Sequence, residues 1–499
     1  MLYPEFVISW SPFDFMKFKN QFYLTLAVCL GASVQAKEIT FSEHIAPIIF
    51  ENCTACHRPN EAAPFSLMNY RDVQKRGELI LTVIEDRYMP PWHARSKDYE
   101  FQGHRRLSLK DIDLIGQWVD SGMTEGDSSK TPALPEFTEG WQLGEPDLVV
   151  RMKEGYTLYA EGPDIYRNFV IPLDLGEEKW IQAIEFRPGE RSIVHHSLFY
   201  YDTTGEARKR DAEDPVPGFK RMGAAERSGS IGGWAVGGVP KKLPDGLAYR
   251  LPKGSDLILS THFHPSGKKE IEVSTVGFYF SKEAPKQRFA AVQLPPAFGA
   301  LAGVNIPAGE SDYSKKDSFI LPVDVKAFGI SSHAHYLGKA MKMTATLPGG
   351  ELKELLTIND WDFSWQEQYR YKDYVFLPAG TRLDAEVVWD NSEDNINNPN
   401  SPPRRVTWGR ESDDEMGSVT LQMVAANPAE FGKLRKEIGN HSAEASQNAR
   451  NRRLSRGRQS GQGESRGQLL KRMATRFDQD GDGVLSPKER ESALKAFGR

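Results

Sequence analysis

Six of the eleven histidines in this 499-residue chain fall in three tight pairs, His195-His196, His262-Phe263-His264 and His333-Ala334-His335. This clustering constrains the fold because imidazole is the commonest metal ligand, and distant pairs can share ions only where strands meet at a common cleft. Period-two alternation puts Leu257, Leu259, Thr261 and Phe263 on one strand face and Ser260, His262 and His264 on the other. The apolar face then has its core without the histidines, which are free to face a cleft. Adjacent His195 and His196 would point oppositely in a regular strand, so both reach one ion only at a strand end or a bulge.

The surrounding chain, to about residue 430, reads as strands. Leu383, Ala385 and Val387 alternate onto one face, as do Met343, Ala345 and Leu347, and turns such as Pro348-Gly349-Gly350 and Pro378-Ala379-Gly380 punctuate the runs. The pattern predicts antiparallel sandwiches, with length enough for two. Near the end of this region Val419, Leu421 and Met423 fill one strand face, which leaves Met416 in phase with Ser418, Thr420 and Gln422 on the polar side. A thioether joined to two imidazoles favours copper over a hydrolytic zinc site.

The N-terminal region indicates where such metals work. Lys17 and Lys19 precede an apolar stretch from Phe22 to Ala32 and a signal-peptidase-like Val34-Gln35-Ala36. Residues 1–36 therefore read as an export signal, with 1–15 an upstream extension before Met16, and the expected location is periplasmic or secreted. The mature chain has no run long enough for a membrane span. Cys53-Thr54-Ala55-Cys56-His57 matches the C-x-x-C-H pattern of haem c attachment, with two thioethers and His57 as proximal ligand. Residues 37–125 are expected to form an all-α cytochrome c-like domain. Thr40 and Glu43 are read as a capping box before Ile45, Ile48 and Ile49, and Ser108 with Asp111 starts a second helix. Met89, in Met89-Pro90-Pro91-Trp92-His93, is the candidate sixth haem ligand, with His93 the alternative. Residues 126–145 read as a linker.

After about residue 430 the expectation is a basic disordered linker, 431–468, carrying Arg450, Arg452, Arg453, Arg456 and Arg458. An EF-hand follows in 469–499. Its calcium ligands would be Asp478, Asp480, Asp482, the Val484 carbonyl, Ser486 (directly or through water) and bidentate Glu489. The net charge of −5 argues against a nucleic-acid binder.

Residues 146–430 resemble the type II copper, ascorbate-dependent monooxygenases, the group of peptidylglycine alpha-hydroxylating and dopamine beta-monooxygenases. The resemblance rests on Val194-His195-His196, Thr261-His262-Phe263-His264-Pro265, His333-Ala334-His335-Tyr336-Leu337-Gly338-Lys339, and Trp408-Gly409 followed by Asp414-Glu415-Met416. It implies two jelly-roll-like domains, 146–285 and 286–430, each holding one of two copper ions across a solvent-filled cleft. His195, His196 and His262 would hold an electron-transferring copper, and His333, His335 and Met416 the copper that binds dioxygen. The implied reaction hydroxylates an activated C–H bond of a small organic substrate with O2, the electrons coming through the fused haem or from an external donor such as ascorbate or a redox protein. Ser331 and Thr420 stand where peptide-amidating members carry an arginine and a tyrosine, so a carboxylate clamp is missing. The other class open at this point is a non-catalytic copper and haem relay.

Overall fold

The computed structural model describes residues 38–59, 63–137, 140–162, 164–220, 228–235 and 238–460. The expected export signal and the expected calcium loop from Asp478 to Glu489 lie outside the described residues. Sandwich-like sheets dominate, and every strand pairing is antiparallel.

The first sandwich contains β1 (Leu148–Arg151), β2 (Ile165–Pro172), β3 (Lys179–Arg187), β4 (Val194–Asp202), β5 (Gly229–Ala235), β6 (Tyr249–Leu251), β7 (Asp256–Phe263) and β8 (Thr275–Phe280). Its sheets run β1-β8-β3-β6 and β2-β7-β4-β5. Leu257, Leu259 and Phe263, all 0% exposed, fill the space between them with Phe186, Phe199 and Phe278. The second sandwich contains β9 (Phe289–Leu294), β10 (Tyr313–Ile320), β11 (Val325–Ala334), β12 (Gly338–Thr346), β13 (Leu352–Ile358), β14 (Gln368–Leu377), β15 (Arg382–Trp389) and β16 (Gly417–Ala425). Its sheets run β9-β16-β11-β14 and β10-β15-β12-β13. Leu383, Ala385 and Val387 face the same core as Met343, Ala345, Val419, Leu421 and Met423, as their alternation demands.

Residues upstream of the sandwiches include helices α1 (Ala46–Asn52), α2 (Gly77–Glu85) and α3 (Leu109–Asp120), packed through Ile45, Ile49, Ile80, Ile115 and Trp118. Ser108 Oγ accepts the Asp111 N–H at 3.1 Å and caps α3. The expected capping box at Thr40 is not formed. The Thr40 side chain makes no cap bond. Its backbone N–H donates instead to His44 Nδ1 at 3.1 Å, while Glu43 pairs with Lys130 at 2.5 Å. His44 wins because it reaches back one helical turn to the same orphan N–H.

Residues 92–101 leave the helical core and join the second sandwich. Trp92, Ala94 and Phe101 are buried among its core side chains. Arg95 exchanges backbone hydrogen bonds with Thr357 on β13, and Gln102 N–H and Glu100 C=O bond to Arg370 and Lys372 on β14. Since β13 and β14 are the edge strands of their two sheets, this segment covers both edges, which would otherwise present unpaired backbone groups.

The expectation of a disordered linker beyond residue 430 is corrected as far as residue 460. Phe431–Ser460 is a helix, α4. Phe431 and Leu434 enter the second core and Ile438 packs against it, while His441 bonds Asp317 at 2.9 Å. The basic composition suggested a solvated chain, but one apolar stripe at helical spacing is enough to dock its first turns.

Candidate metal centre

The strand faces decide which imidazoles can meet. Val194 pairs with Phe263 and His196 with His262, and the register slips between them, leaving His195 as the extra residue of a bulge. The bulge turns both adjacent rings to the same side as His262 on the neighbouring strand. The ligand atoms of His195, His196 and His262 lie within 4.8 Å of one another, near the roughly 4 Å that two metal–nitrogen bonds of about 2.1 Å span.

The hydrogen bonds leave a lone pair free on His262, while His195 Nδ1 and His196 Nδ1 share a hydrogen bond at 3.0 Å that a common ion would displace. His262 is fully buried, and its Nε2 is bonded to Asp164 Oδ2 at 2.9 Å and Ser412 Oγ at 3.1 Å. Because a carboxylate only accepts, Nε2 carries the proton and Nδ1 the lone pair. His262 Nδ1 and His195 Nε2 are buried without a hydrogen-bond partner. An unpaired buried nitrogen is costly, and a bound cation would satisfy both. Asp164 also receives His264 Nδ1 at 2.7 Å, so His264, with its side chain 57% exposed, braces the carboxylate. Burial opposes the charge on Asp164, but hydrogen bonds from His262, Ser412 and His264 hold its carboxyl below the usual range. Replacing Asp164 with alanine should weaken metal binding at this cluster by about 10–100-fold. Chelator competition would check it, with the His333 cluster as internal control.

The second cluster lies on β11 and β16 of the other sandwich. His333 opposes Ser418 and Ala334 opposes Gly417. Ala334 faces the core at 0% exposure, so His333 and His335 face out of it. The ladder ends at this pair, and His335 and half-buried Met416 are the next residues beyond it on the two chains. His333 Nδ1 donates to Gln366 Oε1 at 2.5 Å and His335 Nδ1 to the Asp414 carbonyl at 3.1 Å, which leaves each Nε2 lone pair available. Glu415, fully buried, accepts the N–H groups of His335 (3.0 Å), Leu337 (2.6 Å) and Met416 (3.1 Å) and the Trp389 indole N–H (2.9 Å). It ties the two strand ends that carry the cluster. Glycine is required beside Met416, because a Cβ on Gly417 would lie 2.2 Å from the Trp389 ring.

The separation of the clusters differs from the solvent-filled cleft that the resemblance implies. The His196 and His333 rings are 6.5 Å apart, centre to centre. Phe363 occupies the intervening region, stacked on His195 at 4.3 Å and 5.5 Å from His335. Burial, reinforced by neighbouring imidazoles, pushes His195 down to about 3 and holds His196 and His335 well below the ordinary value. Burial likewise pushes His333 down to about 4. All four rings are neutral at pH 7, the form that ligates metal. Phe298, in the left-handed region at φ 52°, sets its ring 5.2 Å from His333 and is 37% exposed. Phe298, Phe363 and Gln366 carry no motif and were missed by the sequence reading.

In the helical region Cys53 is half-buried and Cys56 exposed, the two are not joined in a disulfide, and burial pushes the Cys53 thiol up to about 12. His57 Nδ1 donates to the Phe65 carbonyl at 3.1 Å, leaving Nε2 with its lone pair. Met89 follows α2, its N–H bonded to the Val83 carbonyl at 3.0 Å. His93 lies in the segment docked on the second sandwich, 3.9 Å from Asp360, with both ring nitrogens buried and lacking a hydrogen-bond partner.

With this geometry established, comparison with known proteins finds DBH-like monooxygenase protein 1. The human protein is 22% identical over 232 residues, 40% of this chain and 37% of the relative. The mouse protein is 22% identical over 191 residues, 35% of this chain and 30% of the relative. The chain is thus similar to a DBH-like monooxygenase. The match spans about a third of those relatives' length. No family model matches. Among solved structures, the major capsid protein P2 of bacteriophage PM2 aligns with 9% identity and a TM-score of 0.23, over 56% of this chain and 98% of that one. PNGF-II aligns with 10% identity and a TM-score of 0.24, over 56% and 65%. Neither likeness carries weight for fold or function. No helix among the described residues is long and apolar enough to cross a membrane.

Proposed function

We propose that the chain is an exported copper monooxygenase that hydroxylates an activated C–H bond of a small organic substrate with O2. The observation that carries this reading is the pair of neutral, half-buried to buried imidazole clusters 6.5 Å apart on two sandwiches, with half-buried Met416 at the start of the strand paired to His333. His195, His196 and His262 would hold one copper, and His333, His335 and Met416 the other. When bound, the coppers would supply dioxygen binding and one-electron chemistry. The chain's own groups have separate tasks. Asp164, Gln366 and the Asp414 carbonyl fix the ring protons so that lone pairs face the ions. Phe363 keeps water from the space between the clusters. Phe298 offers an exposed aromatic face beside His333, which suits an apolar substrate better than a carboxylate.

In this proposal residues 37–125 bind haem c through Cys53, Cys56 and His57. The bond from His57 Nδ1 to the Phe65 carbonyl supports it, since it orients Nε2 as an iron ligand. Met89 or His93 would complete the iron. The haem would feed electrons to copper from a short tether, and the C-terminal EF-hand would bind calcium. The test is 18O2 turnover by the haem-containing, copper-loaded protein with a reductant and a panel of small alkyl and aryl substrates. A hydroxylated product carrying one labelled oxygen is expected. Reoxidation of the haem without labelled product would overturn the reading in favour of an electron relay, which the close contact between the clusters also suits.

A further inference from the structure

The loop 359–367 joins β13 to β14, the two edge strands covered by residues 92–101, and it touches both metal clusters. Trp361 Nε1 donates to the His335 carbonyl at 3.1 Å. Phe363 stacks on His195 and lies 6.2 Å from His262 and 4.6 Å from Tyr336. Gln366 accepts the His333 Nδ1 proton and, through its amide, donates to the Phe363 carbonyl at 3.1 Å. The loop ends on Glu367, whose side chain is only 9% exposed. One oxygen meets Arg105, from the segment leading to α3, at 2.6 Å. The other meets Lys241 of the first sandwich at 2.8 Å. Arg105 also bonds the Pro91 carbonyl and lies 5.1 Å from the Trp92 ring. A single carboxylate therefore joins the N-terminal segment, the first sandwich and the second.

We infer that Glu367 is a positioning residue that sets the distance between the two metal clusters, and that its joint with Arg105 and Lys241 holds the sandwiches closed with Phe363 between them. This rests on the copper reading for its consequence but not for its geometry. The chain of causes is short. Lys241 draws the first sandwich toward the loop, Arg105 couples the docked N-terminal segment to the same carboxylate, and Gln366, next in sequence, orients His333. Loss of the acid would leave two half-buried cations uncompensated, and loss of Lys241 would cut the tie to the first sandwich while leaving the Arg105 pair. Docking of the region that carries the haem motif and closure of the metal site thus become one event.

The test compares wild type with Glu367→Gln, Lys241→Met and Lys241→Arg. In fully Cu(II)-loaded protein, the copper–copper distance read from dipolar electron paramagnetic resonance should be longer in E367Q and K241M than in wild type at unchanged copper content, and K241R should keep the wild-type distance. The same distance in wild type, E367Q and K241M would overturn the inference. Hydrogen exchange on metal-free protein gives a second reading. Amides of residues 359–367 should exchange about tenfold faster in K241M than in wild type, with the cores of both sandwiches unchanged; equal rates would overturn the joint. Copper analysis of the same samples separates the two ideas. If copper does not bind, the monooxygenase reading falls while the exchange data still decide the joint.

Discussion

Replacing His262 with alanine should reduce copper from two ions per chain to one and lower hydroxylated product by more than about 100-fold. Loss of groups that merely orient ligands already costs 10–100-fold, and His262 is itself one of three nitrogens converging on the first cluster. Its ring is fully buried and held by Asp164 and Ser412, so no solvent ligand replaces it without opening the interface. His195 and His196 would remain, but a pair of imidazoles on a bulge leaves the ion with half its coordination shell. The second cluster shares no hydrogen bond with His262 among the described contacts. It should keep its copper and the sulfur signature of Met416. Copper analysis with X-ray absorption would check both parts, and loss of both ions in His262→Ala would show that the clusters do not bind separately.

The second large effect is expected at Glu415. Alanine there would leave the N–H groups of His335, Leu337 and Met416 without an acceptor, while the Trp389 indole would keep its bond to the Met416 carbonyl at 3.0 Å. At about 1–3 kcal/mol for each buried group left unsatisfied, and with some relief from water entering the cavity, the expected cost is about 4 kcal/mol. Urea unfolding of the metal-free protein would measure it. The same carboxyl gives a pH dependence whose sign is fixed. Burial raises Glu415 from the ordinary 4.5 to about 8, against the opposing pull of its N–H donors. The folded chain then binds this proton more tightly than the unfolded chain. Its contribution to stability falls as pH rises from about 4.5 to about 8 and is flat beyond. Glu415→Gln should lack that slope.

Much of the strand architecture is legible before any coordinates, because period two ties side-chain type to sheet face. The burial of Leu257, Leu259 and Phe263 follows from that rule, as does the exclusion of Met416 from the row Val419, Leu421, Met423. The need for a strand end or a bulge at His195-His196 is legible for the same reason, although which of the two, and its place in the register, is not. What stayed hidden depends on contacts between segments far apart in sequence. Residues 92–101 show no strand alternation, yet they close two sheet edges through backbone bonds that no side-chain pattern encodes. Loop 359–367 is a run of aromatic and polar residues without a recognisable motif; its importance comes from being the link between β13 and β14 at the mouth of the histidine clusters. Helix α4 was obscured by charge, since three apolar anchors among many arginines leave the composition of a solvated tether.

In the proposed enzyme five imidazoles and one thioether form two copper sites of different ligand sets. Copper X-ray absorption on the reduced, copper-loaded chain, with metal analysis of the same sample, tests it most directly. Two coppers per chain, with a sulfur scatterer that disappears in Met416→Ala while nitrogen scattering persists, is the result predicted. A single copper, or a spectrum without sulfur in the wild type, would contradict it.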